Sequence, residues 1–390
     1  VLDCSLNHVH PRHFAFQDIV EKGEKSEYKD WFTVFDYPVR FLHRPHLYAN
    51  TYKVGWDGNA EEYKTYLEKT FKETKVPVEV VDDDGPIIEP TFKAWWGVPD
   101  MPKINFKNDG ARQWALDVTE HWIKNFDIDG WRMDVAKELD FSFWKDFRDV
   151  AYSAKKDILL ISEIFGDTSQ WLQGERFDGT MNYSFRETMT DYFATKRIDN
   201  KEFANSLANL YSMYSFEALS SCQNLLSSHD VKRFLNRCGA NTDGMFGAIF
   251  LQATFPGIAG IYYGDEIGLG GADDPFNREP FPWESEDKWN KDLLKFTSEL
   301  MNIKTSQPIL RYGNFEMVTY DDNYVIFRRV LNDESLLCIV NRDLNNKDIE
   351  LNTNAHSVDI VYGDCSIELD SGKLKITDIA DNFGLIIKES

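Results

Sequence analysis

Four short stretches of this chain share one design, an apolar strand-like run that ends in polar groups. They are LDCSLNH (2–8), DGWRMDVAKE (129–138), ISEIFGD (161–167) and LLSSHD (225–230). Among the polar groups they supply are Arg132, the carboxylates Asp134, Glu163 and Asp230, and the histidines His8 and His229. Amphipathic stretches separate the runs, with Trp114, Val118 and Trp122 at four-residue spacing over 111–126. Strands that alternate with helices imply parallel βα units. A TIM-type (β/α)8 barrel places its chemistry at the carboxyl ends of successive strands, which is where these polar groups fall.

The remaining elements fit the same pattern. Strands are expected at 1–6, 130–135, 158–163, 179–182, 224–227 and 257–263, with a helix over 59–74 and a strand over 76–81 in an enlarged loop region. After residue 311 the helices stop. Short strands over 315–320, 324–330, 335–341, 348–351, 358–362, 373–376 and 383–388, parted by Asn, Asp and Gly turns, describe an antiparallel β-sandwich. The expected organisation is a catalytic barrel over 1–310, with a loop subdomain over about 9–109, and a C-terminal β domain over 311–390.

Composition removes several classes of function. The net charge of −22 argues against nucleic-acid or anionic-membrane partners and is neutral toward uncharged sugars. No apolar run is long enough to span a membrane. Aromatic residues make up 14%, enough to furnish sugar-stacking surfaces as well as a core. Cys4, Cys222, Cys238, Cys338 and Cys365 are odd in number, widely spaced and mostly in apolar settings, which indicates reduced thiols and a cytoplasmic location. No Cys/His cluster has zinc-ligand spacing, and nothing calls for a cofactor or for calcium.

The polar groups themselves suggest two carboxyls with different duties. Arg132 and Asp134 are two residues apart, so on a strand they share a face. A guanidinium beside a carboxylate favours the charged form, which a nucleophile requires. Alone, WRMD would read as a structural ion pair. Glu163 ends the run ILLIS, where apolar walls and a second carboxylate favour the protonated form of a general acid. Alone, it would read as a surface Glu.

Taken in order, the four segments resemble the α-amylase family of retaining glycoside hydrolases. MPKIN (101–105), FDGTMNYSF (177–185) and IYYGDEIGLGGADDP (261–275) resemble its cyclomaltodextrinase, neopullulanase and maltogenic amylase group. The resemblance covers most of the chain except about 45–90. It implies Asp134 as nucleophile, Glu163 as acid and base, and Asp230 as a third catalytic carboxylate that grips sugar hydroxyls. It implies substrate-binding roles for His8, Arg132, Lys137, Glu138 and His229, with Asn7 supporting its loop. Lys137-Glu138 mixes the Lys-His of many α-amylases with the Asn-Glu of the cyclomaltodextrinase group. Asp3-Cys4-Ser5-Leu6 stands where the family is more apolar, a change expected to concern packing. Trp96, or its neighbour Trp95 in the WWG loop, is expected to stack on glucose, the alternative being that both are core.

The implied activity is hydrolysis of α-1,4 bonds in maltooligosaccharides, cyclodextrins or pullulan through a glycosyl-enzyme, with transglycosylation beside it. A 4-α-glucanotransferase, or a non-catalytic amylase-like scaffold or glycan-binding chain, is the alternative. In the family, 2–8 ends the third barrel strand, so only six of eight strands are accounted for. The chain is therefore expected to be a fragment, or to be completed by another segment or a second copy, and to be nearly inactive alone.

Overall fold

The computed structural model describes residues 1–48, 60–340, 348–379 and 383–390. The chain divides into two compact units, Val1–Glu163 and Ile164–Ser390.

In the first unit, β1 (Leu2–Cys4) opens the chain and α1 (Phe14–Lys22) comes after it. β2 (Phe41–His43), α2 (Ala60–Thr74), β3 (Val78–Val80) and β4 (Ile88–Pro90) complete the loop region. β2 pairs with both β3 and β4, and Phe16, Phe41, Leu67 and Phe92 form the core beneath them. Part of the loop region expected near 45–90, residues 49–59, lies outside the described residues. Next come α3 (Asp109–Phe126), β5 (Gly130–Met133), α4 (Phe141–Ala154) and β6 (Leu159–Ser162). Asn108 and Asp140 cap α3 and α4 by accepting backbone N–H groups of the first turn.

The helix pattern needs one correction. α3 does not bury the stripe of Trp114, Val118 and Trp122. It turns Ala111, Ala115, Thr119 and Ile123 inward, and Trp122 is exposed. α3 packs beside α4, where Arg112 bonds Asp146 at 2.6 Å.

β1, β5 and β6 run parallel side by side, and their register determines which side chains meet. Asp3 sits opposite Arg132, and Arg132 opposite Ile161. The ladder continues past the strand ends: Asp134 N–H donates to Cys4 O and Glu163 N–H to Met133 O, each at 3.0 Å. Asp134 and Glu163 thus emerge together from the carboxyl ends of neighbouring strands.

The second unit continues the alternation with β7 (Gly179–Thr180), α5 (Tyr183–Met189), α6 (Asn200–Ser212), α7 (Phe216–Ser221), β8 (Gln223–Leu225), α8 (Phe234–Arg237), α9 (Asp243–Thr254) and β9 (Ile258–Gly260). β8 and β9 are parallel, and a bridge from Met181 to Gln223 carries the same direction back toward β7. α10 (Lys291–Ser306) and α11 (Pro308–Tyr312) close this part. α9 is apolar nearly all round and buried along most of its length. The carbonyls at its end, which no helical N–H can reach, meet two buried basic side chains. Lys304 Nζ donates to Ala253 O and Phe255 O, and Arg329 donates to Thr254 O and Gly313 O.

The C-terminal strands are β10 (Asn314–Tyr320), β11 (Val325–Leu331), β12 (Glu334–Val340), β13 (Ile349–Asn352), β14 (Val358–Tyr362), β15 (Ser366–Asp370), β16 (Lys373–Thr377) and β17 (Gly384–Glu389). They form sheets of order β10-β11-β12-β17-β14 and β13-β16-β15, antiparallel throughout. Ile326, Leu337, Ile339 and Ile387 of one sheet share a core with Ile349, Leu351, Leu374 and Ile376 of the other, as a sandwich requires. β15 has no counterpart among the expected strands. Only Ile367 and Leu369 mark its inward face, too few for the alternation to stand out between two turns.

Candidate active site

Arg132 organises the polar ends of β1, β5 and β6. Its Nη1 donates to Asp3 Oδ1 at 2.7 Å and to Asp134 Oδ1 at 3.1 Å, while Nη2 donates to Glu163 Oε1. One planar fork therefore bridges Asp134 and Glu163, a geometry that a point-charge ammonium cannot supply. Burial works against the guanidinium charge, but Glu163, Asp3 and Asp134 outweigh it and hold Arg132 above its usual range. The three carboxyls differ in their access to water: the side chain of Asp3 is 65% exposed, that of Asp134 24% and that of Glu163 3%.

Glu163 Oε2 accepts the N–H of Val135 at 3.4 Å. Val135 presents that N–H from a left-handed backbone, with φ 42° and ψ 42°. A β-branched residue rarely adopts this conformation, which costs about 1–3 kcal/mol and persists only where its surroundings impose it.

Asp3 corrects the expectation that the unusual first segment concerns packing. It is exposed and ion-paired, because the parallel register sets it beside Arg132.

His8 lies beyond the end of the same strand. It lies against Trp95 in a stacked arrangement, with ring centroids 5.2 Å apart and planes 12° apart, and Asn7 Nδ2 reaches its Nδ1 at 3.3 Å. Burial lowers its pKa, against the pull of Asp134 and Asp100. Trp96 is 84% exposed, which rules out the reading in which both tryptophans are core. It too is left-handed, at φ 52°, beside Gly97 at φ 74°. Lys137 and Glu138 lie on the turn after Asp134; Lys137 is exposed and Glu138 is paired with Lys103 of the MPKIN stretch.

In the second unit, β8 leads into a tight turn closed by a bridge between Ser228 and Val231, with His229 and Asp230 at its tip. His229 Nε2 lies 3.3 Å from Asp230 Oδ2. Arg278 approaches from 261–289, donating from Nε to His229 O at 3.0 Å and from Nη2 to Asp230 Oδ1 at 3.3 Å. The buried amide of Asn277 donates to His229 O at 2.8 Å and Val231 O at 3.1 Å.

A sequence profile of the alpha amylase catalytic domain matches residues 91–309, over half of the chain. The chain belongs to the alpha-amylase family. It is 32% identical over 353 residues to a cyclomaltodextrinase of Thermoanaerobacter pseudethanolicus, covering 90% of this chain and 54% of that protein. It is 34% identical over 343 residues to neopullulanase 2 of Thermoactinomyces vulgaris, covering 87% and 51%. The native debranching enzyme of Nostoc punctiforme superposes with a TM-score of 0.81 at 26% identity, over all of this chain and 75% of that one. The chain spans about half the length of the curated relatives it matches. These neighbours show the alpha-amylase family fold of a barrel followed by a C-terminal β domain.

Within this alpha-amylase family member, Asp3, Lys103, Asn277 and Arg278 contact the expected site residues, and inspection of the sequence alone does not single them out. The polar Asp3 in an otherwise apolar strand was the available signal for the first. Asn277 and Arg278 lie just beyond the motif 261–275, with no feature to separate them from an ordinary loop.

Proposed function

We propose that this protein is a retaining glycoside hydrolase that cleaves α-1,4 bonds of maltooligosaccharides, cyclodextrins or pullulan. The observation that carries this reading is the Arg132 fork shared by Asp134 and Glu163. Two carboxyls gathered on one guanidinium suit the short separation of about 5–5.5 Å used by retaining enzymes. The names of the relatives, cyclomaltodextrinase and neopullulanase, agree with an α-glucan substrate.

The division of labour rests on charge and burial. Arg132 is shared between Asp134 and Glu163, and the two carboxyls differ in burial. The group with least access to water is Glu163, at 3% exposure. Protonated Glu163 delivers its proton to the glycosidic oxygen while the Asp134 carboxylate attacks the anomeric carbon. The same Glu163, now ionised, removes a proton from the water that releases the sugar. A sugar hydroxyl in place of that water gives transglycosylation. Asp230 and His229 grip the hydroxyls of the reacting ring, His8 contacts the same ring, Lys137 and Glu138 serve the leaving side, and the exposed Trp96 offers a stacking face. A non-catalytic scaffold would have no need for a charged cluster at the strand ends.

The edge of β1 away from β5 is exposed at Leu2 and Asp3, so further strands, of the same polypeptide or of a second copy, cover it. The five cysteines are free thiols, which supports a cytoplasmic location; among the described residues no helix is long and apolar enough to cross a membrane.

The test is the anomeric configuration of the first product released from maltotriose by the natural protein, monitored by NMR, with and without added glucose. Retention is expected, with loss of turnover in Asp134→Asn. Inversion would refute the mechanism.

A further inference from the structure

The turn that carries His229 and Asp230 directs three carbonyls toward one point, those of Ser228, His229 and Val231. The side-chain amide of Asn277 sits there and donates to all three, at 3.4, 2.8 and 3.1 Å. Asn277 is completely buried. Its Oδ1 has no hydrogen-bond partner among the described residues, which costs about 1–3 kcal/mol. Its own carbonyl accepts from Arg233 Nε at 3.1 Å, and the backbone of Gly271 packs so close that a Cβ there would lie 2.8 Å from Asn277 Cα. The donor is thus fixed from two sides. Asn277 bonds no atom of the Asp230 side chain in these contacts; it holds the peptide groups on either side.

We infer that Asn277 is a positioning residue, which sets the direction of the Asp230 carboxylate by neutralising three converging carbonyls of the turn. This rests on the role proposed for Asp230. Without the amide the carbonyl dipoles repel, the turn reorients, and the carboxylate at its tip moves. A displacement of about 1 Å at a catalytic group costs on the order of 10²-fold in rate.

The experiment places Asn277→Leu and Asn277→Ser in the wild-type and Asp230→Asn backgrounds of the natural protein. It measures kcat and KM on maltotriose, with circular dichroism to monitor folding. Leu keeps the branched shape, with somewhat larger volume, and has no donor; Ser keeps one donor and decides the matter if the Leu variant does not fold. The expected result is a fall of about 10²-fold in kcat for Asn277→Leu with KM little changed, and a smaller fall for Asn277→Ser. Neither substitution should add a loss once Asp230 is Asn, because both act through the same carboxylate. Unchanged kcat in a folded Asn277→Leu, or the same fold-loss in both backgrounds, would overturn the inference. Wild-type turnover by Asp230→Asn would remove the role of Asp230 and this inference with it. Absence of hydrolysis in the wild type would refute the proposed function itself.

Discussion

Lys304 makes the stability of this protein depend on alkaline pH in a way that one substitution can expose. Burial, reinforced by the neighbouring Arg329, lowers its pKa from 10.5 to about 7. A neutral amine still has two N–H groups, matching the two carbonyls of Ala253 and Phe255 that Lys304 contacts at 3.1 and 3.2 Å. The folded protein therefore gives up this proton without losing a hydrogen bond. The unfolded chain keeps the proton up to the ordinary lysine range. Between about pH 7 and 10.5 the unfolded state binds one proton more than the folded state, so stability from this group rises with pH. Below about pH 7 both states are protonated and the slope vanishes.

The slope is about 1.4 kcal/mol per pH unit, and the whole window is worth on the order of 5 kcal/mol. Lys304→Met fills the space and removes the titration. Urea unfolding of both proteins by circular dichroism at several pH values gives the difference in stability, in which titrating groups remote from Lys304 cancel. That difference should move in favour of the wild type by about 3 kcal/mol between pH 7.5 and 9.5. Parallel pH profiles for the two proteins would refute the reasoning, as would a difference that moves the other way.

Glu163→Gln should lower turnover of natural glucans by about 10²–10⁴-fold, and less for aryl glycosides whose leaving groups need little protonation; equal losses on both would argue against Glu163 as the acid. Trp96→Ala should raise KM for long maltooligosaccharides more than for maltotriose, by an amount near 1 kcal/mol, or roughly fivefold. An unchanged KM for every chain length would remove Trp96 from the binding surface.

The parts of this protein that could be read from its residues are those where one local rule suffices. Arg132 and Asp134 share a strand face by period-two spacing, and apolar runs such as ILLIS ending at Glu163 mark strand ends whatever surrounds them. What escaped reading depends on partners distant in sequence. Asp3 meets Arg132 only through the parallel register of two strands more than a hundred residues apart. Asn277 meets the His229 turn through a loop whose path no periodicity records. The buried face of α3 carries Ala111, Ala115, Leu116, Thr119 and Ile123, which the four-residue spacing of Trp114, Val118 and Trp122 does not reveal.

The left-handed peptide at Val135 links the two proposed reaction partners mechanically. Its N–H points at Glu163 only while the chain leaving Asp134 turns the wrong way for a branched side chain. Relaxation to extended backbone would swing that N–H aside and pull on the residue before it. This peptide couples the positions of Asp134 and Glu163, beside the Arg132 fork that bonds both. Stability given up at one residue returns as preorganisation of the pair, so a change that relaxes this peptide should make a calmer protein and a looser enzyme.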